Sequence, residues 1–581
     1  ATIVDGHPMA KKGEAGRALG AALFSSLVGA IFGAFALAVA IPIARPLVLT
    51  FGSPEFFMLT ILGITFVASL SGGTLLKGLI SGGIGMFLAT IGLDPISGIQ
   101  RYTFGQLFLW DGIGLVPITI GFFAIPEVID LAIQGSSIAQ EQVDRLGGVL
   151  EGVKDTFRHW WLVIRCSAIG TFIGIVPGMG AALTQWLAYA HAAQSSPDKE
   201  RFGKGAVEGV LGPGAANNSA LGGSLVTTIA FGVPASIMMA ILLGAFLIQG
   251  LVPGPDMLLP ERSGGHLSLT FSFVWTIIIS NIITVSVCFL FLNQLVKITK
   301  VRGSLVIPFI LLLIYLGAFA EKNTIEDLIL VLFSGALGWE MQRLNWPRPP
   351  LILGLVLGPL AENRLFLSTD NYGLIWMLRP GVLFIIALTL AGVFYPILKT
   401  KWQKGKKKMV EPSALRIETR SRPWPFRVNQ VALFSFLIVV VFILALLKSR
   451  EFNFRAGLFP WTIGFSVLLL GIVQFIRDFI GRKDIGNVES FLEGKKEIPN
   501  DVAHRRTIGI LSWLIGFFTA ILFLGFSIGG PFCIFIYLKM SARERWPLTL
   551  ILTATTWVSI FGLFGHLLHV PFPPGLLFSW L

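Results

Sequence analysis

Residues 174–255 read GIVPGMGAALTQWLAYAHAAQSSPDKERFGKGAVEGVLGPGAANNSALGGSLVTTIAFGVPASIMMAILLGAFLIQGLVPGP. Apolar runs that are long enough to enter a bilayer are interrupted here by proline, glycine and asparagine. In hydrocarbon every backbone N–H and C=O needs a partner, so a broken helix persists only where it is buried in protein or lines a polar cavity. Secondary transporters build substrate and ion sites from such discontinuous helices. The expected interruptions are Pro177-Gly178, Pro213-Gly214, Asn217-Asn218, Gly222-Gly223 and Gly232-Val233-Pro234.

The composition is typical of a membrane protein. The chain has 581 residues, of which 54% are hydrophobic and 13% charged, and its mean hydropathy is +0.77. A soluble protein carries roughly a quarter charged residues. Apolar runs that approach or exceed the ~20 residues of a spanning helix recur along the whole chain. We therefore expect an all-α polytopic membrane protein without a large soluble core. The main runs are 20–46, 107–125, 268–296, 303–320, 374–398, 431–447 and 548–565.

The net charge of +13 is concentrated in short loops and in one basic cluster at 399–427. Basic loops stay cytoplasmic during membrane insertion, so this distribution favours a topological role over nucleic-acid binding. The cluster predicts a basic cytoplasmic linker at 400–428. It separates a transport domain, 1–399, from a second membrane domain, 429–581, with four or five spans.

The sequence offers little for enzyme chemistry. Its three cysteines lie far apart in apolar runs, which favours simple packing over a metal site or a disulfide framework. A membrane-embedded enzyme needs convergent acid–base or metal residues, and none cluster here. Asp94-Pro95 predicts a turn at a membrane interface. We expect neither enzyme activity nor a cofactor. The notable charged residues are Asp94, Arg101, Asp111, Glu127, Arg165, Glu208 and Glu340.

The transport domain repeats itself loosely. Segment 61–95 resembles segment 313–349, with Gly63 opposite Gly317, and further pairs follow at a nearly constant offset. Glycine and leucine can align by accident in apolar segments, but the constant offset favours duplication. We expect an internally repeated transporter fold with discontinuous helices or re-entrant hairpins, whose second copy covers about 160–399.

The same offset places the start of the first copy roughly 90 residues before Ala1, by the logic of repeated transporter folds. The first repeat is then expected to be incomplete and to lack its broken hairpin. An inactive, truncated permease is therefore one alternative that the sequence leaves open.

Four motifs carry a family resemblance. They read GIVPGMG at 174–180, FGKGAVEGV at 202–210, ANNS at 216–219 and GVPAS at 232–236. On these residues the chain resembles the large membrane subunit of the tripartite tricarboxylate transporters, and the match spans nearly all of 1–400. The positions Gly214, Thr227 and Ala235 depart from the family's pattern, which bears on the substrate or the coupling ion more than on the transporter class.

Two other segments extend the resemblance. The opening DGHPMAKKGEAGRAL, 5–19, is similar to a segment that lies inside the first half of the family's large subunit. Residues 429–581 are similar to its small four-helix membrane subunit, through GLFP at 457–460 and LLHVPFPPGLL at 567–577. The chain thus resembles a fusion of the two membrane subunits.

The resemblance implies a component of a secondary active importer, as a multi-pass protein of the bacterial inner (cytoplasmic) membrane. A periplasmic solute-binding protein would deliver citrate or a related di- or tricarboxylate. Sodium ions or protons would drive uptake, and the two repeats would move against each other to give alternating access. The implied partners are this binding protein, the carboxylate and bilayer lipid, with no nucleic acid; a homo-oligomer stays open.

A carboxylate substrate needs fixed hydrogen-bond donors. Helix N-termini supply free N–H groups, and glycine lets a ligand approach the backbone. The amides of Asn217 and Asn218 could donate to a carboxylate or coordinate a sodium ion through oxygen. The alternative is that these asparagines and glycines only cap and kink helices. The candidate substrate- and ion-binding residues are Pro177, Gly178, Gly180, Asn217, Asn218, Ser219, Thr227, Thr228, Gly232, Pro234 and Ser236.

A channel is a further alternative. Its pore would need rings of like residues from several subunits. A two-fold repeat with broken hairpins favours a transporter instead. The sequence contains no G-x-x-x-x-G-K-[ST] loop, so an ATP-driven route is not expected.

Overall fold

The computed structural model describes residues 1–70, 74–134, 147–177, 180–298, 301–392, 430–480 and 500–579. Within these ranges the chain is almost entirely helical, and the only strands are the short antiparallel pair Gly92–Leu93 and Gln100–Arg101. Nine helices of the described ranges are long and apolar enough to cross a membrane. The expected all-α polytopic membrane protein is confirmed.

In chain order the helices are α1 (Ile3–Lys11), α2 (Ala15–Leu49), α3 (Ser53–Leu70), α4 (Leu75–Leu88), α5 (Leu115–Gln134), α6 (Val149–Arg158), α7 (Trp160–Ile175), α8 (Gly180–Ser195), α9 (Glu208–Phe231), α10 (Ile237–Ile248), α11 (Pro255–Leu258), α12 (Leu267–Leu290), α13 (Leu292–Ile298), α14 (Gly303–Lys322), α15 (Glu326–Arg343), α16 (Pro349–Tyr372), α17 (Pro380–Gly392), α18 (Gln430–Lys448), α19 (Phe454–Phe479), α20 (Asn500–Met540), α21 (Trp546–Val558) and α22 (Leu576–Ser579).

The chain forms two compact units, each built from three separate stretches. Unit 1 contains α1–α4, α6–α12 and α16–α19, and unit 2 contains α5, α13–α15 and α20–α22. The region similar to the small subunit is therefore shared, with α18 and α19 in unit 1 and the later helices in unit 2. The expected linker, 400–428, lies outside the described residues, and the domain boundaries proposed around it stay a prediction. Unit 1 is Ala1–Gln106, Val143–Leu290 and Pro349–Gly486; unit 2 is Leu107–Gln142, Phe291–Arg348 and Asn487–Leu581.

The repeated segments form equivalent helix pairs, α3–α4 in unit 1 and α14–α15 in unit 2. Gly85 and Gly338, which occupy matching positions in the two repeated segments, each allow close packing of a neighbouring helix. A Cβ added to Gly85 on α4 would overlap the backbone of Leu351 on α16. A Cβ added to Gly338 on α15 would lie 2.7 Å from the Cα of Phe122 on α5. In each copy, glycine lets a neighbouring helix approach to backbone contact.

The centre of unit 1 is α9, which packs against α2 and α7 on different sides. A Cβ on Gly222 of α9 would overlap the backbone of Gly33 on α2, and one on Gly223 would overlap the carbonyl group of Thr171 on α7. Lipid tails are as apolar as leucine, so helix association in a bilayer depends on close van der Waals packing, which small residues permit. The small residues of α9 thus allow α2 and α7 to pack closely against it.

This packing corrects the sequence analysis. Three of the expected interruptions, Pro213-Gly214, Asn217-Asn218 and Gly222-Gly223, lie inside one continuous helix, α9. The expectation of breaks there is wrong. The glycines are needed for close contact between helices and do not interrupt α9. Pro213 lies in the second turn, where neighbouring helices enclose the backbone. The interruptions at Pro177-Gly178 and Gly232-Val233-Pro234 are confirmed by the ends of α7 and α9, although Gly178 itself is outside the described residues.

Unit 2 has its own core around α14, where the buried Tyr315 donates a hydrogen bond of 2.7 Å to the carbonyl oxygen of Leu514 on α20. A straight helix over all of α20 would be about 60 Å long, twice the hydrocarbon thickness. The chain turns at Gly525 instead, which has a φ of 72° that favours glycine. The rings of Trp513 and Tyr537, from the two arms, lie 4.9 Å apart. A helical hairpin therefore exists in this C-terminal region.

We expect Gly222→Ala to destabilise unit 1, because the new methyl group would overlap the backbone of α2. Overpacking of this kind costs about 1–3 kcal/mol. Gly212→Ala on the same helix is the matched control, since its Cβ would meet the Cys166 Sγ at 3.2 Å, the Ala192 Cβ at 3.3 Å and the Ala188 carbonyl oxygen at 3.4 Å, with no overlap of backbone. The measurement is the apparent Tm of purified protein in detergent. Equal Tm values for the two variants would contradict the α2–α9 packing.

Candidate functional site

Asn217 and Asn218 are partly exposed on a helix, α9, that is otherwise largely buried. From Glu208 to Ala230 every residue of the helix is buried except Asn217, Asn218 and Leu221, which are partly exposed. Most of the helix is therefore closed to a ligand by its neighbours. The partly exposed polar side chains of α9 are those of Asn217 and Asn218, and we call the place where they lie the amide window.

The window lies within a chain of side-chain amides from three helices. Gln185 on α8 donates a hydrogen bond of 2.7 Å to the Oδ1 of Asn217, whose Nδ2 donates to the Oδ1 of Asn218 over 3.2 Å. Asn218 in turn donates to the Oδ1 of Asn281 on α12, over 3.1 Å. The chain ends where Asn281 donates to the carbonyl oxygen of Ile277 on its own helix, over 2.8 Å.

A helix N-terminus lies close to the window. Helix α8 begins at Gly180, after the turn that contains Pro177, and Gln185 lies about 7.5 Å further along its axis. The end of α7 is tied to α9, because the hydroxyl of Ser224 donates to the carbonyl oxygen of Gly174 over 3.1 Å. The first backbone N–H groups of α8 therefore add donors and partial positive charge near the amides.

The other candidates lie at the far end of α9. At 1.5 Å per residue, Asn218 and Gly232 are about 21 Å apart along the helix axis. Gly232 ends α9 with a φ of 65°, and Ser236 caps α10 by accepting a hydrogen bond of 3.3 Å from the Met239 N–H. The turn that contains Pro234 separates these helices. The predicted site residues therefore lie in two separate places, one around Asn217 and Asn218 and the other at the end of α9.

Three of the predicted site residues have hydroxyl groups that are already bonded within α9. Ser219 donates to the carbonyl oxygen of Ala216, and both Thr227 and Thr228 donate to that of Ser224, over distances of 2.7–3.2 Å. A hydroxyl group has one proton, so these side chains have no donor left for a carboxylate in this arrangement.

Asp5 holds the loop that precedes α9. Its buried carboxylate accepts hydrogen bonds from the backbone N–H groups of Gly205 and Ala206, over 2.8 and 2.9 Å, and from the hydroxyl of Tyr189 over 2.9 Å. The sequence analysis matched Asp5 to a family segment but gave it no role. The structure shows that it joins α1 to the loop and to α8.

Arg101 is a buried cation in a closed cluster. Its Nη1 lies 2.5 Å from a carboxylate oxygen of Glu362 on α16 and 3.3 Å from one of Asp94. It also donates to the carbonyl oxygen of Ala456 on α19, over 3.3 Å. Asp94 lies in the predicted turn and is buried. Two carboxylates neutralise the guanidinium, so Arg101 fastens helices together and offers no free charge to a ligand.

Arg364 on α16 was missed by the sequence analysis. Its guanidinium lies 5.2 Å from the centre of the Phe56 ring, and Asp256 interacts with it electrostatically without forming a close ion pair among the described residues. The Phe56 ring also lies next to Gly254, whose N–H bonds the carbonyl oxygen of Ile229 in the last turns of α9. Arg364 is therefore a second place in unit 1 where an anion could be held. Only its charge within an apolar helix could have drawn attention to it.

The described part of the chain contains no cluster of side chains that could hold a metal ion. No three His, Cys, Asp or Glu side chains come together within those ranges.

Comparisons with known proteins agree with the motifs. Residues 1–353 match the tripartite tricarboxylate transporter TctA family, and residues 427–573 match the tripartite tricarboxylate transporter TctB family. An uncharacterized 52.8 kDa protein in the TAR-I ttuC' 3' region of Agrobacterium vitis is 32% identical over 413 residues, which cover 71% of this chain and 81% of that protein. No solved structure matches the chain.

A second relative is an uncharacterized protein in the TAR-II ttuC' 3' region of Agrobacterium vitis. It is 29% identical over 245 residues, which cover 42% of this chain and 99% of that protein.

We expect Asp5→Ala to destabilise the α8–α9 loop, because it leaves the backbone N–H groups of Gly205 and Ala206 without their acceptor. Leaving such a buried donor unsatisfied costs about 1–3 kcal/mol. Tyr189→Phe removes only one of the three hydrogen bonds and serves as the graded control. Thermal unfolding of the purified protein is the measurement, and a larger loss in Tyr189→Phe than in Asp5→Ala would refute this role of Asp5.

Proposed function

Because the chain belongs to the tripartite tricarboxylate transporter family, as a TctA-type region followed by a TctB-type region, we propose that it imports a citrate-like di- or tricarboxylate. A periplasmic solute-binding protein delivers the carboxylate to it at the bacterial inner membrane. A sodium or proton gradient drives the uptake, as a symport, without ATP. The membrane-spanning helices carry the solute and no catalytic group is needed.

The observation that carries this proposal is the amide window. On a helix that is otherwise enclosed, the only accessible polar groups are Asn217 and Asn218, and the N-terminus of α8 lies near them. Neutral N–H donors suit a transporter, because they bind a carboxylate firmly enough to select it and still release it. A buried lysine or arginine would add a charge that must be desolvated in every transport cycle.

The direct test is uptake of ¹⁴C-citrate and ¹⁴C-succinate by cells that express the chain, with and without its binding protein. We expect saturable uptake that requires the binding protein and collapses when the sodium or proton gradient is removed. Uptake that continues without a gradient, or without saturation, would favour a channel.

Within that assay, Asn218→Ala should lower uptake at limiting citrate by about ten- to hundredfold, since it removes a hydrogen bond to an anion worth roughly 1.5–3 kcal/mol. Ser219→Ala is the adjacent control and should retain uptake, because its hydroxyl is bonded within α9. Membrane expression of both variants is measured in parallel. Wild-type uptake in Asn218→Ala would remove the window from the proposed site.

Arg364→Gln separates the two possible places for the anion. If the carboxylate binds at the amide window, we expect Arg364→Gln to raise the KM for citrate less than Asn218→Ala does. The measurement is the KM of each variant at equal membrane expression. The reverse order would place the substrate beside Arg364 and Phe56.

A further inference from the structure

Unit 2 contains a cavity of about 310 Å³ among the ends of its helices. Its walls come from the last turn of α5, the start of α14, the first arm of α20 and Ser541, which follows the second arm. The ends of membrane-spanning helices lie near the level of the lipid headgroups, because the hydrocarbon core is only about 30 Å thick. The cavity is therefore placed where a lipid presents its polar part.

Arg506 gives the cavity a positive charge. Its exposed side chain lines the wall, and its Nη1 donates a hydrogen bond to the carbonyl oxygen of Ile133 at the end of α5. A guanidinium has five N–H donors, so this bond leaves most of them available. Within the described ranges no acidic side chain forms an ion pair with Arg506. A planar guanidinium in this state matches the oxygens of a phosphate group.

The deeper part of the cavity is aromatic and apolar. Trp513 and Tyr537, whose rings lie 4.9 Å apart, line it together, and both residue types are typical of membrane interfaces. The wall continues through the buried Ile510 into an apolar seam, with Leu311 and Leu514, that has no room for water. A surface that changes from cationic to apolar suits an amphiphile better than a small polyanion such as citrate.

The helix ends around the cavity are mainly basic. Arg302 precedes α14, Arg505 lies beside Arg506, and Arg543 follows α20. Two acidic side chains, Asp501 and Glu544, lie at these ends as well, and Glu544 is 3.5 Å from Arg302. Basic helix ends favour the cytoplasmic side of a membrane, where the leaflet is rich in anionic lipids.

We propose that this cavity binds the headgroup of an anionic phospholipid, with the lipid phosphate at Arg506. The acyl chains lie along exposed apolar side chains of α20 such as Ile508 and Ile515, which are two turns apart on one side of the helix. The inference goes beyond the proposed function, because the site belongs to unit 2 and does not depend on which solute is carried.

The test is native mass spectrometry of the full chain, purified in detergent and titrated with phosphatidylglycerol or phosphatidylcholine that carry identical acyl chains. We expect the wild type to bind phosphatidylglycerol more tightly. Arg506→Gln should weaken that binding by about ten- to hundredfold, the loss of a hydrogen bond to a charged group. Equal binding of the two lipids by the wild type would overturn the proposal.

Arg505→Gln is the matched control. It removes the same charge from the neighbouring exposed position, but Arg505 does not line the cavity. Phosphatidylglycerol binding should therefore stay near wild type in this variant. An equal loss in Arg505→Gln and Arg506→Gln would mean that the lipid is attracted by surface charge alone, and the site would be rejected.

A second pair of variants tests the cavity without removing a charge. Gly509 lines the cavity, and a Cβ added to it would meet no atom within 4 Å, so Gly509→Leu fills the space without a clash. Gly516, two turns further along α20, has equally open surroundings but does not line the cavity. Gly509→Leu should abolish the preference for phosphatidylglycerol and Gly516→Leu should keep it; the same preference in both would contradict the site.

The last comparison separates a lipid from a soluble phosphate ester. Because the proposed site also holds apolar parts of the ligand, glycerol 3-phosphate should not displace phosphatidylglycerol at equal concentration. Displacement would show a site for the free phosphate ester and would overturn the lipid assignment. The apparent Tm of every variant without added lipid shows whether it is folded. If Arg506→Gln is unfolded, the two glycine variants decide the outcome.

Discussion

Unit 1 depends on the approach of α9 to α2 and α7 at backbone distance. Within a bilayer there is no water to drive apolar side chains together, so two helices associate through packing and the polar contacts that packing allows. Residues such as Gly222 and Gly223 bring the backbone of α9 against two neighbours at once. The same enclosure protects a helix that contains a proline and two adjacent asparagines, since no unpaired backbone group meets lipid.

The position of the candidate site follows from that enclosure. Because α9 is covered on nearly all sides, its partly exposed residues between Glu208 and Ala230 are Asn217, Asn218 and Leu221. The hydroxyl groups that looked equally suitable, on Ser219, Thr227 and Thr228, face their own helix and bond to it. Packing, more than residue chemistry, therefore separates the groups that can meet a solute from those that stabilise the helix.

The buried charges around Arg101, unlike the amides of Asn217 and Asn218, are paired with one another. Arg101 sits between Asp94 and Glu362, and its remaining contact is a backbone carbonyl group on α19. The two carboxylates compensate the buried positive charge, since an uncompensated charge is strongly unfavourable in a low dielectric. Through it, the hairpin after α4 is joined both to α16 and to the start of the region similar to the small subunit, all within unit 1. The partly exposed polar groups of α9 are neutral amides, and the buried charges of this cluster fasten helices.

Much of the architecture could be predicted from the residues alone. Apolar runs of spanning length, few charges and a nearly constant repeat offset determine a helical membrane protein, and the four motifs determine its family. The breaks next to Pro177 and Gly232 were also predictable, because their local backbone demands are strong. The continuity of α9 was not, since glycine and asparagine favour a break locally and only the proximity of α2 and α7 overrules them. Nor could the sequence connect Asn218 with Asn281, or Arg101 with Glu362, which are distant in the chain. Those pairings arise only when helices are brought side by side, so the tertiary structure decides them.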